Sequence, residues 1–223
     1  MGIVESILKI STTRKMNMYA AILIVVSIIP VWVTLGIPIA ITYTTQDFYN
    51  SIVKLPPGSV VVYGWQTMRT GDYVGSEDVA AAVFKVIHQR KLKIICLSLG
   101  PAPPLFFEDI YKRNKLVALY GLKYGEDFVI TPYIAGEEAA LAAFAKDTWA
   151  TVSTDIYGTP IKDIPLMQRV RTLNDVALCW MASYSWSNFE QFVRQWGHAY
   201  NKPLILWPGD YWAIAQYYPW PVT

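Results

Sequence analysis

The chain has 223 residues, with 19 Lys or Arg, 17 Asp or Glu and a net charge of +2. That balance excludes association driven by a strong basic field, so nucleic acid is not an expected partner. Charged residues are 16% of the chain, below the roughly 25% of an average soluble protein. Its two cysteines are too few for a disulfide framework.

Residues 1–15 (MGIVESILKISTTRK) read as a short amphipathic segment with Ile3, Ile7, Leu8 and Ile10 on its apolar side. Residues 16–46 contain no Asp, Glu, Lys or Arg and read as a single transmembrane helix, since about 20 apolar residues cross a hydrocarbon core. The run is too long for the apolar region of a cleaved signal peptide and shows no convincing small-x-small cleavage site. Pro30 and Pro38 predict a kink in the span, and Trp32 joins them as an anchor residue. Lys9, Arg14 and Lys15 precede the span and only Lys54 closely follows it. The positive-inside rule then places the N-terminus in the cytoplasm and the domain outside.

Residues 47–223 read as one α/β globular domain. A helix over 47–57 stops at Pro56 and Pro57, and the first strand is 59–65, SVVVYGW. Ser76 caps the next helix, with Glu77 and Asp78 in its first turn and Val79, Val83, Val86 and Ile87 as its stripe. Strand 93–99, a helix from 105 to 123, strand 127–133 and an Ala-rich helix through 149 follow. The connection 151–173 shows no period, and loops of that length are often functional. Strand 175–182 leads to a predicted capping box, Ser187 with Glu190, opening a helix that carries Phe189, Phe192, Val193 and Trp196 on one face. Strand 203–207 and a short aromatic helix over 210–217 end the chain.

This alternation predicts a five-stranded parallel sheet between two helical layers, a three-layer sandwich of flavodoxin-like or Rossmann-like type. In such sheets ligands bind beyond the carboxyl ends of the strands. The candidate ligand-binding residues are therefore Gln66, Arg69, Asp72, Ser98, Asp155 and Asp210. No GxGxxG, GxxxxGK[ST] or GxSxG motif is present, and His88 and His198 lack companion ligands. No catalytic residue, metal site or cofactor is expected. Ser98, in SLGPAPP, has two readings: anion contact at the following helix, or a plain strand-to-helix turn. Cys96 and Cys179 lie in strand-like runs as inert thiols.

Three segments carry a resemblance: LPPGS at 55–59, TDIYGTP at 154–160 and DIPLM at 163–167. They resemble an uncharacterised family of prokaryotic membrane-anchored α/β proteins with an N-terminal span. The resemblance implies the same anchored Rossmann-like architecture but carries over no catalytic residue. The chain departs from that family at Gly64-Trp65-Gln66, where an acidic residue is expected, and in stopping at Thr223 where further spans are expected. Both departures imply a divergent member that has lost any ancestral ligand site.

The expected function is that of a membrane-anchored, non-catalytic accessory subunit of a larger membrane complex. Its partners would be the lipid bilayer and other subunits, reached through the span and an aromatic-rich surface. The alternative is an anchored small-molecule-binding protein or enzyme using the strand-end crevice.

Overall fold

A computed structural model describes residues 12–32, 41–66, 76–183 and 185–208. The chain divides into two units, at Thr42 and Tyr43.

The first unit contains one described helix, α1, Thr12–Trp32. It is long and apolar enough to cross a membrane, by length and composition. Leu23 is 68% exposed and Val25 60%, and Ile22, Ile24 and Val26 between and beside them are also exposed, so the apolar surface runs all round the helix. Ser27 Oγ donates to the Leu23 carbonyl within the helix at 2.7 Å. Pro30 removes one backbone donor within two residues of the helix end. Pro38 lies outside the described residues. The expected span of 16–46 is revised at its far end: Tyr43–Val53 forms α2, which belongs to the second unit. Residues 43–46 (YTTQ) are uncharged but polar, and absence of charge alone does not make a helix apolar.

The second unit is α/β, with β1 Val60–Gln66, β2 Lys93–Ser98, β3 Phe128–Ile130, β4 Leu178–Ser183 and β5 Leu204–Pro208. Every neighbouring pair is parallel, in the order β3-β2-β1-β4-β5. β1 is the central strand and is buried at all seven positions. Its side chains alternate between two cores. Val61, Tyr63 and Trp65 enter one, with Ile94 and Cys96 of β2 and Trp180 of β4. Val60 and Val62 enter the other, with Ile95, Leu97, Cys179 and Met181. Period-2 alternation with both faces covered is the mark of a parallel sheet between helical layers.

The first core is covered by α2, α3 (Ser76–Gln89), α4 (Pro103–Arg113) and α5 (Leu116–Tyr120), which contribute Ile52, Phe84, Ile87, Phe107 and Leu116. Tyr63 stacks on Trp180 with ring centroids 3.8 Å apart. The single helix expected over 105–123 is broken at Lys115, which takes φ 51° between α4 and α5. The second core is covered by α6 (Glu137–Lys146), α7 (Thr148–Thr151), α8 (Pro165–Gln168) and α9 (Trp186–Phe192). Asp147 separates α6 from α7 and caps the latter, its Oδ1 accepting from the Trp149 and Ala150 amides.

The 151–173 connection is a structural element rather than an open loop. Val152, Ile161, Ile164, Leu166, Met167 and Val170 are buried in the second core. Short turns with no common period bury them, which is why no periodicity marks the stretch. The predicted capping box at Ser187 and Glu190 is also corrected. α9 starts at Trp186 with Ser185 as N-cap, and no side-chain cap bond forms. Ser187 Oγ instead lies 2.8 Å from Ser185 Oγ. α9 continues without a break as a π-helix over Val193–His198. The capping box that does form is Thr172 with Asp175, at a short 3₁₀ helix.

Gly64 of β1 is the register partner of Met181 of β4. A Cβ there would lie 2.6 Å from Met181 Sδ. Met181 is 1% exposed, so its thioether has little room to withdraw. Gly64→Ala is expected to destabilise the protein by about 1–3 kcal/mol, the usual cost of overpacking. Combining it with Met181→Ala should cost less than the two single changes added together, as read by thermal unfolding of all three variants.

Candidate functional site

The carboxyl edge of the sheet is the place to look, because β1 has β2 on one side and β4 on the other and the chain changes direction between them. Of the six candidate residues, Arg69, Asp72 and Asp210 lie outside the described residues. The structure places Gln66, Ser98 and Asp155 as follows.

Gln66 ends β1 beside Ser183, its register partner on β4. It is 7% exposed, and its Oε1 has no hydrogen-bond partner among the described residues. Ser183 is fully buried and its Oγ accepts from Asn188 Nδ2 at 2.8 Å and from the Ser185 amide at 3.2 Å. These bonds tie the end of β4 to the start of α9.

Ser98 ends β2 and is fully buried. Its amide donates to Thr131 Oγ1 at 3.0 Å and its hydroxyl to the Thr131 carbonyl at 2.8 Å. The pair extends the contact between β2 and the end of β3 beyond the strand ladder. Ser98 is therefore a strand-to-strand lock. α4 also makes a poor anion seat, since Pro103 and Pro104 open it and proline has no amide donor.

Asp155 shapes a turn. Its Oδ1 accepts from the Tyr157 amide at 2.9 Å and the Thr159 amide at 2.8 Å, and Gly158 takes φ 82°. The turn is fastened at both sides. Ile156 N donates to the Ile130 carbonyl at 3.2 Å, and Tyr157 Oη donates to Glu108 Oε1 at 2.7 Å. That phenol, ahead of Lys112, holds the Glu108 carboxyl below its usual pKa. The TDIYGTP segment thus clamps the end of β3 to α4. Its chemistry is that of an Asx turn.

On the first-core face the crevice floor is filled. Trp65 is fully buried, with its ring 5.5 Å from Phe106 and 5.8 Å from Phe107, centroid to centroid. Trp180 and Trp196 are buried as well, while Trp149 and Trp207 are half-buried and pack against the cores. The aromatic segment expected over 210–217 lies outside the described residues.

Other reactive groups are held away from the edge. Cys96 and Cys179 are free thiols in opposite cores. Burial pushes the Cys96 pKa well above the ordinary thiol value and that of Cys179 up to about 12, so neither offers a thiolate nucleophile. His88, in the last turn of α3, is 4% exposed, with Nε2 2.9 Å from Tyr111 Oη and no hydrogen-bond partner on Nδ1 among the described residues. No group of three His, Cys, Asp or Glu residues gathers as a metal site among the described residues.

Two hollows lie among the described residues and bear on the question. The larger, about 610 Å³, runs along small residues of α6 and α7, including Ala139, Ala143 and Ala150, with Lys146 and Asp147 at one end. The smaller, about 230 Å³, lies at the opposite, amino edge of the sheet between Ser59 and Arg169. Sequence reasoning passed over Arg169, although LPPGS and DIPLM flank the positions that meet there.

No family model, no curated protein and no solved structure matches this chain. The fold itself defines the class: an α/β domain on an all-parallel five-stranded sheet, preceded in the chain by one helix of membrane-spanning length and apolarity.

The buried histidine gives the domain a pH-dependent stability. Desolvation lowers the His88 pKa from 6.5 to about 4, with Asp127 opposing the shift and Lys93 adding to it. The unfolded chain therefore takes up this proton first as pH falls. Stability from neutral His88 is complete above pH 6.5 and declines through the window down to about 4, by on the order of 3 kcal/mol. His88→Gln should flatten that part of the profile relative to wild type, as measured by the Tm difference between pH 7 and pH 4.5.

Proposed function

We propose that the protein is a membrane-anchored, non-catalytic accessory subunit of a larger membrane complex. The observation that carries this reading is α1, whose apolar side chains are exposed on every side. A helix apolar all round requires lipid or other apolar helices around it. The filled crevice floor at Trp65 and the use of Ser98 and Asp155 in structural bonds support a role in association rather than turnover. Arg14 and Lys15 at the start of α1, against Lys54 as the nearest base in the second unit, favour a cytoplasmic N-terminus and an extracytoplasmic domain. The strand order supports a Rossmann-like assignment within the α/β class, since 3-2-1-4-5 is the order of the first five strands of that fold. The resemblance to prokaryotic membrane-anchored α/β proteins agrees with this reading.

One observation favours the alternative of a small-molecule binder. Gln66 Oε1, buried at the switch between β1 and β4, has no described partner and would accept a ligand donor. Purification of the full chain in mild detergent separates the two. Retention of α1 in the mature chain and stoichiometric co-purification of other membrane subunits are expected. A homogeneous monomer carrying a small molecule, or a chain cleaved after α1, would overturn the subunit reading.

A further inference from the structure

The LPPGS segment and the stretch after DIPLM meet in space. At the amino edge of the sheet they wall the hollow of about 230 Å³, which Gly58, Ser59, Arg169, Asn174 and Asp175 line. The wall is preformed. Pro56 and Pro57 fix the backbone entering it, and the Ser59 amide closes the turn on the Pro56 carbonyl at 3.1 Å. Lys202 Nζ stiffens the far side by donating to the Asn174 and Val176 carbonyls at 3.0 and 2.8 Å.

Arg169 is the cation of this wall, oriented by the backbone and outside the ion pairs of the described residues, with the Asp175 carboxylate on the same wall. Its Nη2 donates to the Gly58 carbonyl at 3.1 Å, which holds the guanidinium against the hollow. That bond uses one of five N–H donors. None of the ion pairs among the described residues involves Arg169. Asp175, the carboxylate of the wall, has Oδ2 occupied by the Arg171 and Thr172 amides, each at 2.9 Å. More positive charge lies along the same turn. The Lys91 carbonyl accepts from the Gly58 amide at 2.9 Å, and Arg90 Nη2 donates to the Val53 carbonyl at 2.9 Å, beside Lys54. Lys54, Arg90, Lys91 and Arg169 are all exposed.

The chemistry of a fitting ligand follows. A guanidinium fork pairs with carboxylate or phosphate, and further cations on the same edge favour the more highly charged phosphate. Ser59, Asn174 and the second oxygen of Asp175 are suited to hydroxyl groups. The volume is below the roughly 300–1,000 Å³ of drug-sized pockets, so the carbon frame must be short. We propose that this hollow is a binding site for a small polyol phosphate of the glycerol phosphate class, met either free or as the headgroup of a phospholipid. The site is independent of the crevice at the carboxyl edge and of whether the chain is an accessory subunit.

Calorimetric titration of the full-length chain in neutral detergent tests this, with glycerol 3-phosphate as one probe and short-chain phosphatidylglycerol as the other, against short-chain phosphatidylcholine. Saturable binding of at least one probe but not of phosphatidylcholine is expected, weakened about tenfold or more by Arg169→Gln. Binding of the free ester identifies a soluble ligand, and binding of the lipid alone identifies a headgroup; each supports the site. Absence of saturable binding by both probes, or unchanged affinity in a folded Arg169→Gln variant, overturns it. Should Arg169→Gln lose its cooperative thermal transition, the double variant Ser59→Ala, Lys91→Gln replaces it, with the same tenfold criterion deciding.

Discussion

Covering β1 on both faces is the constraint on which the rest of the domain depends. A central parallel strand has no solvent side, so each residue from Val60 to Gln66 must find packing or hydrogen-bond partners within the protein. Alternation sends Tyr63 and Trp65 to one core and Val62 and Gly64 toward the other. The first face is the bulkier, built on the Tyr63–Trp180 stack under Phe84 and Phe107. The second is thinner at Gly64, where Met181 occupies the space a side chain would need. The two helical layers follow from these two faces.

The same constraint explains the contrast between the sheet's two edges. At the carboxyl edge the strands end in Ser98 and Ser183, buried polar groups that need partners, and the surrounding segments supply them. Thr131 serves Ser98, and Asn188 with the Ser185 amide serves Ser183. Polar residues that read as a ligand site thereby hold strand ends together, which is the ordinary fate of buried hydroxyls. Among the described residues, Gln66 Oε1 and Asp155 Oδ2 are the exceptions in this candidate site, buried with no hydrogen-bond partner. At the amino edge the turn before β1 is rigid and exposed, and Arg169 is tied to its backbone rather than to an acid. The charge there remains available.

Much of the fold was legible because its signals are local. The runs SVVVYGW and KIICLSL are apolar at successive positions, as strands covered on both sides must be, and Ser76–Gln89 carries its stripe and acidic first turn in plain view. Where reading failed, tertiary contacts had overridden the local pattern. Ser187 and Glu190 have the spacing of a capping box, yet α9 starts earlier, where Ser183 Oγ takes the Ser185 amide and Asn188. The 151–173 stretch lacks any period because it meets the core through separate turns, not through one face of one element. Of the candidate site, Gln66 and Ser98 end their strands and Asp155 lies in a turn tied to the end of β3, and the roles of all three depend on neighbours distant in sequence.

By itself the sequence determined the α/β class of the domain, the succession of its five strands and the presence of one long apolar helix; the third and fourth strands are bounded differently, at Phe128–Ile130 and Leu178–Ser183. Hydrophobic run length and alternation encode those features directly. Only the tertiary structure decided which polar residues are occupied. Ser98 is engaged by a residue 33 positions away, while Arg169 is drawn to Gly58 across 111 positions and left with donors to spare. Hydrogen-bond satisfaction is a property of three-dimensional neighbours, and no local pattern in the chain records it.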